Sequence, residues 1–518
     1  MKRARNLCML FAIVMIALVP AGDAIALGPT EEQIEASVVA GLARIPEFQA
    51  SDGGFGHYSC DRVAHTGLAI TKLADRALDL GMSPLDPSYE YSAVIVAGLD
   101  FIMANKHVVA IAPGPAGDPD GNGNGIGVYF NDCVGHQIYN TGIAMMALAV
   151  SGDQATYGTD LQDAVDFMAW AQNDPSCGLN RGGWGYGAND CFWSDNSSGG
   201  YATLGLGYAA APPPFGFGLT IPQWVKDELS LWIDAIQDDV DGDSWDGGSH
   251  YTPNGGWVNI LKTGNLIYEM GLVGDTVNDQ RVQNAIDYIE RHWDNPNQCD
   301  TGWVLHAQAI FTMMKGLQSM GIDYLDLDGD GVAEHDWFAE VAQHLIDTQA
   351  PGGMWWDDCW GGYVLATIWD LLTLEKAVPA FEIPVPVDIK PGSCPNPFNV
   401  GKKGVMPAAI LGTEDFEVSQ VDPVTVMLAG VPPLRWSLED VATPFDPFLG
   451  KEDALDCNEL GADGYFDLAL KYDALELAAA LGDVNDGDVL VLPLTGNLKE
   501  EFGGTPIVGE DVVLIIKK

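Results

Sequence analysis

The sequence predicts a mainly α-helical protein, an (α/α)6 toroid of six helix pairs, followed by a smaller all-β, sandwich-like domain. A helix–loop–helix unit of roughly 45 to 60 residues recurs six times, a period within the range of helical repeats. The second helix of each unit is apolar or small-sided all round, so it is expected to be buried, whereas the first carries a polar stripe. Second helices are therefore expected inside the ring and first helices outside.

The chain begins with a segment typical of export signals. Basic residues precede the apolar run Leu7–Val19, and Ala24–Ala26 supplies the small-x-small pattern of a signal-peptidase site. We expect residues 1–26 to be a signal peptide and the mature protein to be secreted or periplasmic. No later segment has the about 18 consecutive apolar residues that a spanning helix needs, so no stable membrane insertion is expected.

The composition is strongly acidic, with a formal net charge of -49 over 518 residues. Nucleic acids and anionic membranes are bound mainly through Lys and Arg that neutralise phosphate, so neither is expected as a partner. The eight cysteines that follow the signal peptide form an even set, which favours disulfides in an oxidising compartment. They are Cys60, Cys133, Cys177, Cys191, Cys299, Cys359, Cys394 and Cys457.

The predicted toroid occupies residues 27–380. Its helix pairs are predicted at 31–45 and 65–80, 89–105 and 136–150, 161–171 and 201–211, 223–236 and 257–270, 281–292 and 303–320, and 337–346 and 362–376. Within the first pair lies the loop Gln49–Phe55, with the pattern Gln-x-x-Asp-Gly-Gly-aromatic, and partial copies begin at Gln172 and Gln349. The second and fifth pairs keep their helices but lose this loop.

This loop resembles the QW-type repeat of the protein prenyltransferase and squalene/oxosqualene cyclase superfamily. The resemblance covers Glu31–Val378, about two thirds of the chain, and implies the toroid fold. It does not imply an activity, because one fold hosts many chemistries. The Asp-x-Asp-Asp segment that carries the catalytic acid of the cyclases does not occur in this sequence, so triterpene cyclisation is not expected.

The loops between first and second helices are expected to gather at one end of the ring, where inner-helix N-termini point outward and attract anions. We call this end the mouth. Aromatic rings beside carboxylates suit a sugar, and a carboxylate pair can supply acid and base. For each Asp the alternative is a helix N-cap. The predicted binding residues, for a small molecule or a carbohydrate, are His57, Tyr58, Asp61, Asp132, His136, Trp193, Tyr251, Trp257, Trp303, His306, Trp356 and Trp360.

Two loops have the oxygen spacing of calcium-binding loops, with Asp or Asn at positions one, three and five and Gly at six. The first contains Asp326, Asp328 and Asp330 with Glu334 at position nine, and the second contains Asp120, Asn122 and Asn124. Neither has the bidentate Glu at position twelve. Calcium is therefore one predicted cofactor, and the alternative is ordinary Asp/Gly turn chemistry.

The segment Asp357-Asp358-Cys359-Trp360 is similar to the Asp-x-Cys-aromatic segment with which protein prenyltransferase β-subunits hold catalytic zinc. The segment around His65 resembles the one that carries their His ligand. The resemblance therefore implies a zinc site of Asp357, Cys359 and His65, with a fourth position open. The order of the two segments is permuted relative to the family, and a disulfide or core role for Cys359 is the alternative.

The sequence pattern changes after Val378, where a linker with alternating Pro residues ends the helical periodicity. Residues 381–518 contain short apolar runs broken by Gly, Pro and Asp, which predicts an immunoglobulin-like accessory module. Cys394 and Cys457 are its only cysteines and form a natural disulfide pair.

Three functions fit these features. The first is an exported toroid that binds a ligand such as a carbohydrate at the mouth, non-catalytic or of unproven activity. The second is an enzyme using the same mouth, either zinc-dependent and prenyltransferase-like or carbohydrate-active. The third is a scaffold or interaction protein whose mouth is filled by its own loops and whose cysteines are all paired.

Overall fold

The computed structural model describes residues 28–56, 60–132, 135–240, 242–295, 299, 301–329, 331–357, 359–378, 383–413, 416–445, 448, 451, 453–482, 484–499 and 506–517. In the described part before residue 379 there are twelve α-helices. They are α1 Glu31–Leu42, α2 Arg62–Asp79, α3 Ser92–Ala104, α4 Gln137–Val150, α5 Gln154–Ala171, α6 Asn196–Ala210, α7 Gln223–Ile236, α8 Ile260–Val273, α9 Gln280–Arg291, α10 Ala307–Ser319, α11 Trp337–Thr348 and α12 Gly362–Leu374.

The even-numbered helices contact one another in series. Helix α2 packs on α4, α4 on α6, α6 on α8, α8 on α10 and α10 on α12, and α12 contacts α2 again. Helices α6 and α8 are buried along almost their whole lengths, whereas the outer helix α9 buries one stripe that includes Val282, Ile286 and Ile289. The burial patterns therefore match the expected inner and outer positions.

Small residues let the inner helices approach closely. A Cβ at Gly142 of α4 would overlap the carbonyl oxygen of Tyr201 in α6, and one at Gly205 of α6 would overlap that of Gly142. Helices α8 and α10 meet in the same way through Gly264 and Gly316. A larger residue at these four glycines would push the helix backbones apart.

The repeated loop links neighbouring units through its Gln side chain. The Gln49 side-chain amide donates to the carbonyl oxygens of Gly53 in its own loop and of Val94 in the first turn of α3, each at 2.9 Å. Each such Gln therefore ties its loop to the outer helix of the next unit. The same pair of bonds recurs from Gln172 to Gly182 and Val225, from Gln237 to Gly247 and Arg281, and from Gln349 to Gly353 and Ser37.

The bond from Gln349 to Ser37 joins the last unit to the first. Its length is 2.9 Å, and the Ser37 hydroxyl donates back to the Gln349 side chain at 2.8 Å. Gly353 in the same loop has φ +85°, and a Cβ there would overlap the carbonyl oxygen of Ala40 in α1. Contacts more than 300 residues apart in sequence therefore close the ring.

Other structures occupy the two units that lack the loop. In the second unit the strands β1 Lys106–Ala110 and β2 Ile126–Phe130 form an antiparallel hairpin, and β2 packs against α5. In the fifth unit the buried indole rings of Trp293 and Trp303 lie with their centroids 5.1 Å apart. Two short strands, β3 Tyr324–Leu325 and β4 His335–Asp336, pair between α10 and α11.

The C-terminal part consists mainly of strands. They are β5 Ile383–Pro384, β6 Val387–Ile389, β7 Pro397–Asn399, β8 Val405–Ile410, β9 Val421–Leu428, β10 Arg435–Glu439, β11 Asp467–Asp473, β12 Val489–Leu498 and β13 Pro506–Ile516, with helix α13 Ala474–Ala480 between β11 and β12. One sheet has the order β10-β11-β8-β6, and the other has the order β5-β13-β12-β9 with β7 also on β13. Apolar side chains of both sheets share one buried cluster. A helical region followed by a β region agrees with the predicted fold class.

Three disulfides join described cysteines. They link Cys177 to Cys191, Cys299 to Cys359 and Cys394 to Cys457. The last of these is the predicted pair, whereas the first two pairings could not be chosen from the sequence. Among the described helices none is long and apolar enough to cross a membrane. The predicted signal peptide, residues 1–26, and Cys133 lie outside the described residues.

Candidate functional site

The N-terminal ends of the inner helices are linked side by side by hydrogen bonds. Ile138 at the start of α4 donates its N–H to Tyr186 O at 3.2 Å, and Asn196 of α6 donates to Tyr251 O at 2.9 Å. Ile260 of α8 donates to Thr301 O at 3.3 Å. The loops that lead into successive inner helices are therefore adjacent, and together they form the mouth.

A chain of polar and aromatic side chains runs along this end. Asp61 Oδ1 lies 2.8 Å from His136 Nδ1, although the two residues are 75 positions apart in sequence. The His136 ring packs on Tyr186 with a centroid distance of 4.5 Å, and the Tyr186 hydroxyl lies 3.1 Å from that of Tyr251. Asp61 and His136 are half-buried, so a ligand at the surface could reach this carboxylate–imidazole pair.

Exposed indole rings flank that chain. Trp193 and Trp257 are exposed, and both pack against Tyr251, with centroid distances of 6.4 and 5.6 Å. The Trp193 N–H donates to Asp195 Oδ2 at 2.8 Å, which fixes the ring. The ammonium of Lys262 lies 3.4 Å from the Trp257 ring centroid, and burial lowers the pKa of Lys262 to about 7. These rings form an aromatic platform with polar groups at its edges.

A second aromatic group belongs to the last unit. Trp360 is exposed and packs edge-on over His306 at 4.6 Å, while its N–H donates to Gln308 Oε1. The Gln308 amide in turn donates to the Tyr201 hydroxyl at 3.3 Å. Trp356, also exposed, packs against Tyr363 at 4.6 Å. This group continues the polar and aromatic lining from α12 towards α6.

Two of the predicted binding residues do not face solvent. Trp303 is buried and donates its N–H to Trp293 O at 3.1 Å, so its bulk fills the core instead of stacking on a ligand. His306 is fully buried beneath Trp360. The sequence interpretation placed both residues near the mouth but did not decide their depth. His57 and Tyr58 lie outside the described residues.

The carboxylates of the mouth divide between capping and other roles. Asp195 caps α6 by accepting the N–H groups of Ser197 and Ser198 at 3.0 and 2.9 Å, as the alternative interpretation expected. Asp61 stands at the N-cap position of α2 without such a bond and contacts His136 instead. Asp132 is half-buried, and burial raises its pKa.

Two buried ionisable residues that the sequence analysis missed, Glu269 and Lys315, lie on α8 and α10. Both oxygens of the Glu269 carboxylate are buried and have no hydrogen-bond partner among the described residues. Burial raises the pKa of Glu269 to about 8 and lowers that of Lys315 to about 7. The Lys315 ammonium donates to Gly200 O at 3.1 Å. Both residues lie in otherwise apolar helices. The one sequence signal for them was a single ionisable residue within an apolar pattern.

Asp357 does not lie in the predicted zinc arrangement. It accepts the N–H of Ala307 at 2.9 Å, so it caps the neighbouring helix α10, and it groups with His306 and Cys359 instead of His65. Cys359 is bonded to Cys299, and a disulfide sulfur is not a thiolate ligand. The oxidised protein therefore does not assemble the ligand set Asp357, Cys359 and His65. Zinc binding by a reduced form stays a prediction.

The two predicted calcium loops share a backbone arrangement. Asp120 Oδ1 accepts the N–H of Gly123 at 2.9 Å and Oδ2 accepts that of Gly125 at 2.7 Å. Asp326 accepts the corresponding N–H groups of Gly329 and Gly331 at 2.8 and 2.7 Å. Glu334 is exposed, and Asp330 lies outside the described residues. Both loops are thus folded around their first Asp.

Carboxylates of an outer helix border the Asp120 loop. Asp163 of α5 accepts the side-chain amides of Asn122 and Asn124 at 2.6 and 2.8 Å. Asp166, one turn further along α5, is fully buried, and its Oδ2 has no partner among the described residues. Burial raises the pKa of Asp166 to about 6. This loop therefore concentrates more negative charge than its own sequence indicates.

No protein-family model and no curated protein matches the chain. Among solved structures it is similar to the type II terpene cyclase MstE from Scytonema, with 13% identity over 68% of this chain and 99% of that one and a TM-score of 0.41. It is also similar to a possible GH105 family member from Salmonella enterica, with 11% identity over 71% and 98% of the two chains and a TM-score of 0.39. Salmonella alpha-2-macroglobulin reacted with methylamine matches with 12% identity over 92% and 31% of the two chains and a TM-score of 0.32. These TM-scores are low, and the ring of helices rests on the contacts within this chain.

Proposed function

We propose that this chain is an exported (α/α)6 toroid that binds a neutral polysaccharide at its mouth. The observation that carries the proposal is the platform of Trp193, Tyr251 and Trp257, in which two exposed indole rings belong to the same chain of contacts as the half-buried Asp61 and His136. Sugar rings present apolar faces that pack on aromatic rings and hydroxyls that bond to carboxylates and imidazoles. Both kinds of group occur here within one continuous chain of contacts.

The charge of the protein favours an uncharged sugar. With a net charge of -49 the protein repels polyanions, so uronate-rich or sulfated polymers are disfavoured. Lys262, the cation of the platform, is turned onto the Trp257 ring instead of towards solvent. The three disulfides are compatible with an extracellular site of action.

Removing a ring of the platform is expected to weaken polysaccharide binding. We expect Trp257→Ala and Trp193→Ala each to lower affinity by about tenfold or more, the scale at which buried aromatic anchors contribute to binding. Affinity electrophoresis through native gels that contain a mixed-linkage β-glucan, a xyloglucan or a galactomannan would measure this as a lost retardation.

Matched controls separate the mouth from other aromatic surfaces. Phe215 is exposed in the loop after α6, at the opposite end of that helix, and Trp436 is exposed on strand β10. Phe215→Ala should leave the retardation unchanged. Trp436→Ala should also leave it unchanged, because the proposed site lies in the toroid and not in the β region. No retardation of the wild-type chain by any of the three neutral polymers would refute the proposal. Release of shorter oligosaccharides would instead make the mouth an active site.

We further propose that calcium binds the Asp120 loop together with Asp163 and Asp166 of α5. The support is the buried carboxylate of Asp166, which lies beside Gly121 of the loop and whose Oδ2 has no partner among the described residues. A divalent cation would offset the burial that raises the pKa of Asp166 and the smaller repulsion from Asp163 and Asp120. The Asp326 loop, bordered by Glu290, which accepts the Asp326 N–H at 2.7 Å, is a second candidate.

Calcium is expected to stabilise the protein through these carboxylates. A ligand at one hundred times its Kd raises the free energy of unfolding by about 2.7 kcal/mol, so millimolar calcium should raise Tm measurably. The variant Asp166→Asn should lose much of that increase, whereas Asp243→Asn, in an exposed loop outside both sites, should keep it. Scanning calorimetry in calcium, in magnesium and in chelator gives the comparison. Equal Tm values in calcium and chelator would contradict the proposal.

A further inference from the structure

The C-terminal β region contains a buried ion pair with unusual surroundings. Lys451 Nζ lies 3.0 Å from Asp511 Oδ1, and each side chain is 1% exposed. Asp511 belongs to β13, and Lys451 belongs to the segment between β10 and β11, so the contact joins residues 60 positions apart. An amine this close to a carboxylate oxygen is also within reach of the carboxyl carbon. The pair is therefore positioned for bond formation as well as for charge pairing.

The second oxygen of Asp511 is held by donors. Asp511 Oδ2 accepts the backbone N–H of Ile389 at 2.6 Å and the side-chain amide of Asn396 at 3.0 Å. Two fixed donors on one oxygen of a carboxyl group form the arrangement that stabilises the oxyanion of a tetrahedral intermediate. A simple ion pair does not need these donors on the oxygen that faces away from the cation.

A third carboxyl group borders the pair. Asp388 of β6 is buried, and its Oδ1 has no hydrogen-bond partner among the described residues. Asp388, Lys451 and Asp511 line one small cavity of about 10 Å³, close to the space that a single water molecule requires. Burial raises the pKa of Asp388 to about 7 and also raises that of Asp511. Asp388 can therefore carry a proton at neutral pH and pass it on.

We propose that Lys451 and Asp511 form an intramolecular isopeptide bond, with Asp388 as the proton-transfer group and Ile389 and Asn396 as the oxyanion donors. The cross-link would tie the segment around Lys451 to the last strand of the β region.

The reaction balances without any other reactant. The amine of Lys451, after losing a proton, attacks Cγ of Asp511, and the negative charge collects on Oδ2. The bond from Cγ to Oδ1 then breaks, and Oδ1 leaves as water with the two protons that Nζ has lost. Asp388 accepts a proton from Nζ and returns one to Oδ1, so it ends as it began. The net change is one ammonium and one carboxylate converted to one amide and one water, with no oxidation.

The mass of the full-length mature protein tests this directly. After complete reduction and alkylation of the cysteines, we expect the intact chain to be lighter than its calculated mass by one water molecule. Proteolysis should give a branched peptide in which Lys451 is joined to Asp511, and fragmentation should locate the junction. An intact mass equal to the calculated value would overturn the proposal and leave a buried ion pair.

Variants assign the roles. Lys451→Arg keeps the positive charge but has no such amine to donate, and Asp388→Asn keeps both partners but removes the proton carrier, so both chains should have their full calculated mass. Lys402→Arg alters an exposed lysine of the same region and should still lack one water. Loss of water from the Lys451→Arg chain would overturn the assignment of the bond. Its loss from the Asp388→Asn chain would overturn the role of Asp388.

Discussion

Replacing Gly353 by alanine is expected to lower the free energy of unfolding of the helical region by about 2 to 5 kcal/mol. Gly353 has φ +85°, a conformation that costs other residues about 1 to 2 kcal/mol. The added methyl group would also overlap the carbonyl oxygen of Ala40, and overpacking of this kind typically costs about 1 to 3 kcal/mol. The two terms act together because the loop cannot relieve one without losing the Gln349–Ser37 bond that closes the ring.

The neighbouring glycine supplies the control. Gly352 is exposed, has no positive φ and has open space around its Cα, so Gly352→Ala should change stability by no more than about 0.5 kcal/mol. Denaturant unfolding followed by tryptophan fluorescence reports on the helical region, because fourteen of the fifteen tryptophans precede residue 379. If the two variants unfold at the same denaturant concentration, the contact between Gly353 and Ala40 does not govern ring closure.

Replacing Glu269 by glutamine is expected to make the protein more stable than wild type at neutral pH. Burial raises the pKa of Glu269 from 4.5 to about 8, so the folded protein keeps a proton that the unfolded chain has lost above pH 4.5. Folding therefore takes up a proton, and wild-type stability falls as pH rises through this window. Glutamine mimics the neutral acid without this dependence.

Lys315, whose titration changes stability in the opposite direction, limits the pH range over which the effect of Glu269 should be measured. Burial lowers the pKa of Lys315 from 10.5 to about 7, so its contribution to stability increases with pH above 7. Between pH 4.5 and 7 Glu269 acts without this opposition. Since one pKa unit corresponds to about 1.36 kcal/mol, we expect the advantage of Glu269→Gln to grow by about 2 to 3 kcal/mol across that range.

The measurement is the difference in unfolding free energy between the variant and wild type at several pH values. Other buried carboxyl groups titrate in both proteins and cancel in this difference. Glu90→Gln, at an exposed position, should give a difference that does not change with pH. A constant difference for Glu269→Gln would mean that its carboxyl group is ionised and solvated in the folded protein.

The repeat could be predicted from the sequence because it depends on local patterns of residues. Helix periodicity and all-round apolarity separate inner from outer helices, and the Gln-x-x-Asp-Gly-Gly loop marks where they meet. The loops at Gln172 and Gln237 each place their Gln ten residues before the bonded Gly, whereas those at Gln49 and Gln349 place it four before, yet all four make the same two bonds. Whether a loop Gln makes both hydrogen bonds therefore depends less on its spacing from the Gly pair than on the position of the next outer helix.

Only part of the candidate site at the mouth could be predicted from the sequence. The sequence placed Trp193, Tyr251 and Trp257 together, because each lies just before an inner helix or within the loop leading to it. It could not separate exposed rings from the buried Trp303, since depth depends on whether the loop folds over the ring. The predicted zinc ligands Asp357, Cys359 and His65 are not grouped in the oxidised protein for a related reason. Cys359 had several possible partners, and its bond to Cys299, 60 residues away, is fixed by how adjacent units pack.

By itself the sequence determined the helix–loop–helix repeat, the faces that are buried, the change to strands after residue 378, and the Cys394–Cys457 pair, the only one possible in its region. Tertiary structure decided which polar groups meet: Asp61 with His136, Asp163 with the Asp120 loop, and Lys451 with Asp511. The physical reason is that burial follows from local periodicity, whereas the partner of a buried charge is set by ring closure and by the pairing of distant strands. Local pattern can show that a charge is buried, but only packing shows what lies beside it.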